Sequence, residues 1–313
     1  MSAVATAQKP KALRKGSRIA VIAPASPAQE AEIAAGCEEL LRLGYAVELS
    51  DKQKPDGYFA ATAEERLAQF LEATATKQVE ALVAVRGGYG SNYLLSSELK
   101  TKLSGPKCVV GFSDLTSLQS YLGQSCGWVT FYGPMVAAGF NRGANAPSGY
   151  DADSFSQAVS NTKSGWKIPL HGEPLLKGSA EGRVVGGCLT LLQATLATPW
   201  EFDAADSILL LEDRGMKPYQ VDRALMHLQQ AGKFAAVKGI VLGDFPDTPA
   251  TALGPTIRDV CQRILSPLGI PVVYGSPVGH TERPLLTIPL GVRAKLDASG
   301  EGVLEILEPA VVA

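Results

Sequence analysis

The chain is short of histidine, of charge and of long apolar runs, and each shortage removes a class of function. Only three histidines occur, His171, His227 and His280, and the five cysteines (Cys37, Cys108, Cys126, Cys188, Cys261) include no C-x-x-C pair. That spacing suggests no metal or redox centre. Odd in number and widely spaced, the cysteines make the cytoplasm the default compartment. No stretch approaches the roughly 20 apolar residues of a membrane span. Charged residues make up 19% of the chain and the formal net charge is −2, so there is no basic footprint of a nucleic-acid binder. Lys9, Lys11, Arg14 and Lys15 lie in a small-residue stretch that reads as a solvated tail. The run behind them, Ile19–Ala23, stops at Pro24, short of the roughly 7–15 apolar residues of a secretory signal. It reads instead as a buried first strand.

What the chain does have is apolar content, 46% of 313 residues, enough for a core in each of two domains. In the first half, Ile19–Ala23, Tyr45–Leu49, Val79–Val85, Lys107–Gly111 and Trp128–Phe131 read as strands. Helical patterns separate them over Ala28–Leu43, from the capping box Thr62-Ala-Glu-Glu65 to about Ala75, over Asn92–Leu99 and over Leu115–Cys126. Strands without polar alternation, separated by helices, predict an α/β fold with a mostly parallel sheet covered on both faces. From about Ala144 to Gly178, Asn, Ser, Gly and Pro loosen the pattern. Beyond it, Ile208–Leu211, Gly239–Leu242, Val272–Tyr274, Thr287–Leu296 and Gly302–Leu307 read as strands, and Pro218–Gln230 and Thr256–Leu265 as helices. The expected organisation is a tail (1–16), an N-terminal α/β domain (17–145), a linker (146–178) and a smaller mixed α/β C-terminal domain (179–313).

Open parallel sheets bind ligands beyond the carboxyl ends of their strands, so the residues after each apolar run carry the chemistry. Ser113, in Gly111-Phe-Ser-Asp114, sits at a strand-to-helix turn that can present a hydroxyl beside free helix N–H groups. Only half of a nucleophile-elbow pattern is present, because Leu115 and Thr116 follow, and Ser113 or Asp114 could simply cap the helix. Glu212 ends a buried strand and needs a partner to stay charged: a histidine N–H, or a cation among Arg214, Lys217 and Arg223. Asp213 competes for the same role. His280 is the one histidine in a Gly-rich loop after a strand, although such a residue can also be idle. Arg86-Gly-Gly-Tyr-Gly90 fits neither dinucleotide nor P-loop spacing. Gly88 in it can either bring an N–H to a substrate or serve a plain turn.

Taken together, Arg86-Gly-Gly-Tyr-Gly90, Gly111-Phe-Ser-Asp-Leu-Thr116, Tyr132-Gly-Pro134, Gly186-Gly187, Thr198-Pro-Trp200, Leu211-Glu-Asp213 with Pro218-Tyr-Gln-Val-Asp-Arg223, and Gly279-His280 resemble, in this order, the LD-carboxypeptidase A family. The family also contains microcin C immunity peptidases, and the resemblance runs from about Ile19 to Glu308. It implies a three-layer α/β N-terminal domain, a swivelling-type C-terminal domain, and a homodimer. It also implies a serine carboxypeptidase with Ser113 as nucleophile, His280 as base and Glu212 as orienting acid. Backbone N–H groups of Gly88 and Asp114 would form the oxyanion hole, and no metal or organic cofactor is implied. The implied substrate is a murein tetrapeptide, whose terminal D-alanine is removed during cell-wall recycling. Peptidyl adenylates are the alternative substrate, but between Gly165 and Gly182 only Trp166 could stack on a base. A nucleotide-binding protein or a non-catalytic two-domain binder is the alternative of another class. Cys188 stands where the family often has Asn, which puts one local amide hydrogen bond in question. A carboxypeptidase must also recognise a free carboxylate, and Arg86 and Arg283 are the candidate cations, each of which could equally form a structural salt bridge.

Overall fold

The apolar runs of the first half become strands because nothing in them offers a solvent-facing side. In the computed structural model, which describes residues 7–49, 54–248 and 254–313, the chain runs β1 (Arg18–Ile22), α1 (Glu30–Arg42), β2 (Ala46–Leu49), α2 (Ala63–Ala75), β3 (Val79–Ala84), α3 (Leu99–Lys102), β4 (Cys108–Gly111), α4 (Leu115–Cys126) and β5 (Thr130–Tyr132). The five strands lie in the order β5-β4-β3-β1-β2 and every pair is parallel. Helix α2 opens on the expected capping box: Thr62 Oγ1 accepts from the Glu65 N–H at 3.2 Å, and the Glu65 carboxylate accepts from the Thr62 N–H at 3.1 Å. Helix α4 stops at Gly127, whose φ of 71° is left-handed. The stretch Asn92–Leu99, expected as a helix, is instead a 3₁₀ turn over Ser91–Leu94 followed by the short α3. Asp114 takes the N–H and the hydroxyl of Ser91 into tertiary hydrogen bonds, which ties down the start of the segment.

The chain continues through α5 (Ala152–Ser160), β6 (Trp166–Pro169), β7 (Glu173–Leu176), β8 (Ser179–Cys188), α6 (Leu189–Ala194), β9 (Ser207–Glu212), α7 (Pro218–Gln230), β10 (Gly239–Gly243), α8 (Ile257–Leu265), β11 (Val272–Ser276), β12 (Ile288–Leu290), β13 (Arg293–Asp297) and β14 (Val303–Ile306). A second sheet has the order β6-β14-β13-β8-β9-β10-β11-β7, parallel from β8 to β11 and antiparallel outside. Its central strand β9 is buried on both faces. Ile208 and Leu210 join the large core shared with the first sheet, while Leu209 and Leu211 join a second core with residues of α6, α7 and α8. The two sheets, one mostly parallel and one mixed, are the α/β fold expected from the strand and helix rhythm.

Three boundaries differ from the sequence expectation. The stretch 146–178 is more than a linker, because it holds α5 and the two edge strands β6 and β7. Both edge strands are only four residues long and carry a proline, Pro169 and Pro174, so they look like loop. Thr287–Leu296 is two strands: β12 pairs antiparallel with β5 in the first sheet, Gly291 turns the chain at a φ of 93°, and β13 enters the second sheet. The C-terminal half therefore closes the first sheet as well as building its own. The N-terminal stretch is docked from residue 7 onward. Gln8 bridges to Trp128, Lys9 pairs with Glu308 at 2.7 Å, and Leu13 is buried with its N–H on Val159 O at 2.8 Å.

This docking has a measurable consequence. Leu13→Ala should lower unfolding free energy by about 2–4 kcal/mol in urea titration, as for other buried leucines. A loss below about 0.5 kcal/mol would show that the segment is not part of the folded core.

Candidate active site

Strand ends from both sheets meet at one place. β4 ends at Gly111, and two residues later Ser113 has a φ of 63°, a left-handed conformation uncommon for a residue with a Cβ. Its N–H donates to the Tyr132 hydroxyl at 3.2 Å, and its carbonyl accepts from Thr116 N at 2.9 Å to begin α4. The loop after β3 lies against this turn. A Cβ on Gly87 would fall 2.8 Å from Ser113 Cβ, 2.9 Å from its Oγ and 3.2 Å from the Asp114 nitrogen, so only glycine fits. Gly88, with φ 99°, is equally crowded by Ser26 Oγ, which accepts from Tyr89 N at 3.1 Å.

Asp114 does not cap α4 with its side chain. Buried, it reaches across to the loop and accepts from Gly90 N at 3.2 Å and Ser91 N at 2.7 Å. Burial pushes its carboxyl up, against the pull of those hydrogen bonds and of Arg66. Asp114 thereby pins the loop carrying Gly88 to the turn carrying Ser113. The N–H groups of Gly88 and Asp114 have no backbone partner among the described residues.

Glu212, the last residue of β9, is fully buried. One carboxylate oxygen accepts from the His280 N–H at 2.9 Å and faces His280 Nδ1 at 2.8 Å; the other accepts from the Tyr132 hydroxyl at 2.5 Å. Burial alone would push this carboxyl up. Attraction to His280, and the hydrogen bonds from His280 and Tyr132, outweigh it and hold the group below the ordinary carboxylate range. With Nδ1 on the carboxylate, the hydrogen-bond network assigns the proton to Nδ1 and leaves Nε2 free as an acceptor. The His280 ring stands edge-on to Phe112, the neighbour of Ser113, with centroids 5.2 Å apart. Gly279, at φ 66°, leaves room for Glu212, because any Cβ there would overlap its carboxyl.

The competing residues are engaged elsewhere. Asp213 accepts from Thr190 N at 2.9 Å and Thr190 Oγ1 at 2.7 Å, and Arg214 pairs with Asp247. His227 lies beside Gln193 on the surface, and His171 faces Glu301. Arg283 is bound to Asp244, His171 O and Gly275 O, so its guanidinium is a brace for the loop after His280. Arg86 is exposed and forms no ion pair among the described residues. Cys188 uses its backbone, donating its N–H to Thr116 Oγ1 at 2.9 Å; burial, then the nearby Glu212 and Asp213 charges, push its thiol well up.

Tyr132 is the residue of this site that the strand pattern hid. Burial and the Glu212 charge push its phenol well up, so it stays a donor, bridging Glu212 and the Ser113 N–H. Its motif, Tyr132-Gly-Pro134, was the available signal. A buried carboxylate–imidazole pair, a strained hydroxyl and free N–H groups are the parts needed for acyl transfer. Among the described residues, no cluster of three or more His, Cys, Asp or Glu has the geometry to hold a metal ion.

Comparison with known proteins places the chain in the peptidase class of hydrolases. The chain belongs to the LD-carboxypeptidase family: residues 19–133 match the family's N-terminal domain and residues 181–296 its C-terminal domain. A Bacillus subtilis protein named "Probable murein peptide carboxypeptidase" is 33% identical over 298 residues, covering 93% of this chain and 92% of that one. The crystal structure of a muramoyltetrapeptide carboxypeptidase from Oxalobacter formigenes superposes with a TM-score of 0.82 at 31% identity, over 93% of this chain and 99% of that one. The Escherichia coli microcin C7 self-immunity protein MccF is 27% identical over 312 residues, 90% of each chain.

The depressed Glu212 carboxyl makes a stability statement. Its folded value lies below its unfolded one, so its contribution is fully present above about pH 4.3 and is lost as pH falls through the folded value. Glu212→Gln should therefore cost about 2 kcal/mol at pH 7, and the gap from wild type should shrink below about pH 4. Urea unfolding from pH 7 to 3.5 measures this; a gap that stays constant with pH would contradict the charged, hydrogen-bonded carboxylate.

Proposed function

We propose that the protein is a serine carboxypeptidase that removes the terminal D-alanine of murein tetrapeptide by cleaving an L,D peptide bond. The observation that carries the reading is the 2.8 Å contact of Glu212 with His280 Nδ1, on a ring packed against the residue before Ser113. In this reading Ser113 Oγ attacks the amide carbonyl while His280 Nε2 takes its proton. Glu212 holds the ring and stabilises the imidazolium. The N–H groups of Gly88 and Asp114 receive the oxyanion. Collapse breaks the C–N bond, and His280 gives its proton to the departing D-alanine amine. Water, deprotonated by His280, then attacks the acyl-serine ester and releases the shortened peptide with Ser113 restored.

The family match and the murein-peptide relatives support this substrate class. Trp166, the ring considered for base stacking, sits in edge strand β6 of the second sheet, paired with β14, which gives the adenylate reading no support. The five cysteines are all free thiols, in keeping with a reducing cytoplasm, and the family resemblance adds a homodimer. No helix among the described residues is long and apolar enough to cross a membrane. Arg86 is our choice for the substrate carboxylate, because Asp244 already neutralises Arg283.

Two measurements test the reading. Ser113→Ala should fold normally and lose about 10⁴-fold or more in kcat on the tetrapeptide; retention of a tenth of the activity rejects Ser113 as nucleophile. A substrate ending in D-alanine amide should lose about 2–4 kcal/mol of transition-state binding relative to the free acid, and Arg86→Ala should erase most of that difference. Equal cleavage of acid and amide by the wild type would point to an endopeptidase or amidase.

A further inference from the structure

One residue holds the loop after β3 on both sides of Gly88. Ser26, half-buried in the loop that follows β1, donates its N–H to Gly87 O at 3.2 Å, and its Oγ accepts from Tyr89 N at 3.1 Å. Its side chain lies directly on Gly88: a Cβ there would fall 2.3 Å from Ser26 Oγ and 2.6 Å from Ser26 Cβ. The same loop packs against Ser113, since a Cβ on Gly87 would fall 2.9 Å from Ser113 Oγ.

The two bonds act on the two peptide planes that meet at Gly88. A trans peptide unit is planar, and its carbonyl and N–H point to opposite sides. Gly87 O and Gly88 N–H belong to one such unit. The bond from Ser26 N–H to Gly87 O therefore turns the Gly88 N–H away from Ser26. The bond from Tyr89 N–H to Ser26 Oγ fixes the next unit, and Gly88 is held between them at φ 99°. Asp114 takes the N–H groups of Gly90 and Ser91. Of the four N–H groups from Gly88 to Ser91, only that of Gly88 has no hydrogen-bond partner among the described residues.

Ser26 is itself held. Pro24 O accepts from the Arg66 guanidinium, Ala25 O accepts from Ala60 N at 2.8 Å, and Pro27 restricts the Ser26 backbone to extended conformations. A loop fastened only for stability would have its N–H groups paired. One N–H spared between fixed neighbours is what an oxyanion needs, because a donor aimed before the charge develops costs no reorganisation when it does. The hydroxyl is the part of this hold that a side-chain substitution removes, since the bond to Gly87 O is made by backbone.

We infer that Ser26 is a positioning residue, whose N–H and hydroxyl together aim the Gly88 N–H at the oxyanion formed in the reaction. The inference rests on the serine carboxypeptidase reading above. In this role Ser26 touches no reacting atom and acts through Gly88 alone.

The test measures kcat and KM on murein tetrapeptide for wild type, Ser26→Ala and Ser26→Cys, with thermal unfolding of each. It also measures inhibition by a tripeptide boronic acid in which boron replaces the scissile carbonyl carbon. Ser113 Oγ adds to the boron, and a boron-bound oxygen then takes the oxyanion position. Alanine removes the acceptor of the Tyr89 N–H, and cysteine substitutes a weak one of similar size. Both variants should lose about 10–100-fold in kcat, less than deleting a donor outright. KM should stay within about 3-fold, and boronate affinity should fall by the same factor as kcat. Unfolding midpoints should stay within about 3 °C, because water can replace the hydroxyl at the exposed Tyr89 N–H. Wild-type kcat and boronate affinity in both variants overturn the inference. So does a change in KM alone, which would make Ser26 a substrate contact, or a loss of kcat with boronate affinity unchanged. Activity lost together with the fold in both variants assigns Ser26 to structure and overturns it too. If wild type does not cleave the tetrapeptide, the carboxypeptidase reading itself fails and takes the inference with it, a result distinct from any in the variants.

Discussion

The structure depends on one buried carboxylate. Glu212 lies out of reach of solvent, where an unpaired charge would cost several kcal/mol. It is tolerated because three donors converge on it: the backbone and ring of His280 and the hydroxyl of Tyr132. Those donors come from different parts of the fold. Tyr132 ends β5 of the first sheet, Glu212 ends β9 of the second, and His280 follows β11. The carboxylate is thus a point at which the two sheets are tied to each other, in addition to β12 and their shared core. Removing either partner would strand a charge, so any motion that separates the sheets here is opposed by about 3–5 kcal/mol.

Close packing around that charge explains why glycine recurs here. Gly279 and Gly243 both lie where a Cβ would overlap Glu212, and Gly187 sits where one would overlap Thr116 and Tyr132. On the other side of Tyr132, its hydroxyl accepts the Ser113 N–H. The phenol therefore transmits the position of the carboxylate to the strained serine turn. A left-handed non-glycine residue costs on the order of 1–3 kcal/mol. Here the strain is opposed by the hydrogen bonds at Ser113 N and O and by Asp114, which holds the neighbouring loop.

Much of this could be read from the chain before any coordinates. Ser113, Glu212 and His280 each follow an unbroken apolar run, and parallel sheets place such residues at one edge. Tyr132 was hidden because it continues the apolar strand Trp128–Phe131, where a tyrosine looks like core; only its hydroxyl distinguishes it. Arg283 was ambiguous for a different reason. A cation three residues after His280 can face either the cleft or a carboxylate, and Asp244, distant in sequence, decides for the brace. The break within 287–296 escaped notice because local pattern does not reveal which sheet a strand joins; Gly291 was the one sign of it. Edge strands β6 and β7 were lost to their shortness and to Pro169 and Pro174.

The brace at Asp244 completes the account of how His280 is held. Thr281 Oγ1 and the Arg283 guanidinium both bind Asp244, and Arg283 also reaches Gly275 O at the end of β11. The loop carrying His280 is thus closed on both sides by groups that do not touch the serine. Glu212 fixes the ring from beneath, and Asp244 fixes the backbone beyond it. This division leaves Nε2 as the only nitrogen of the ring without an assigned partner, directed away from the carboxylate. Arg283 could not both complete that brace and bind an anionic substrate without leaving Asp244 uncompensated. The sequence feature that looked like a second substrate cation is therefore better understood as a cost of holding His280 on a loop.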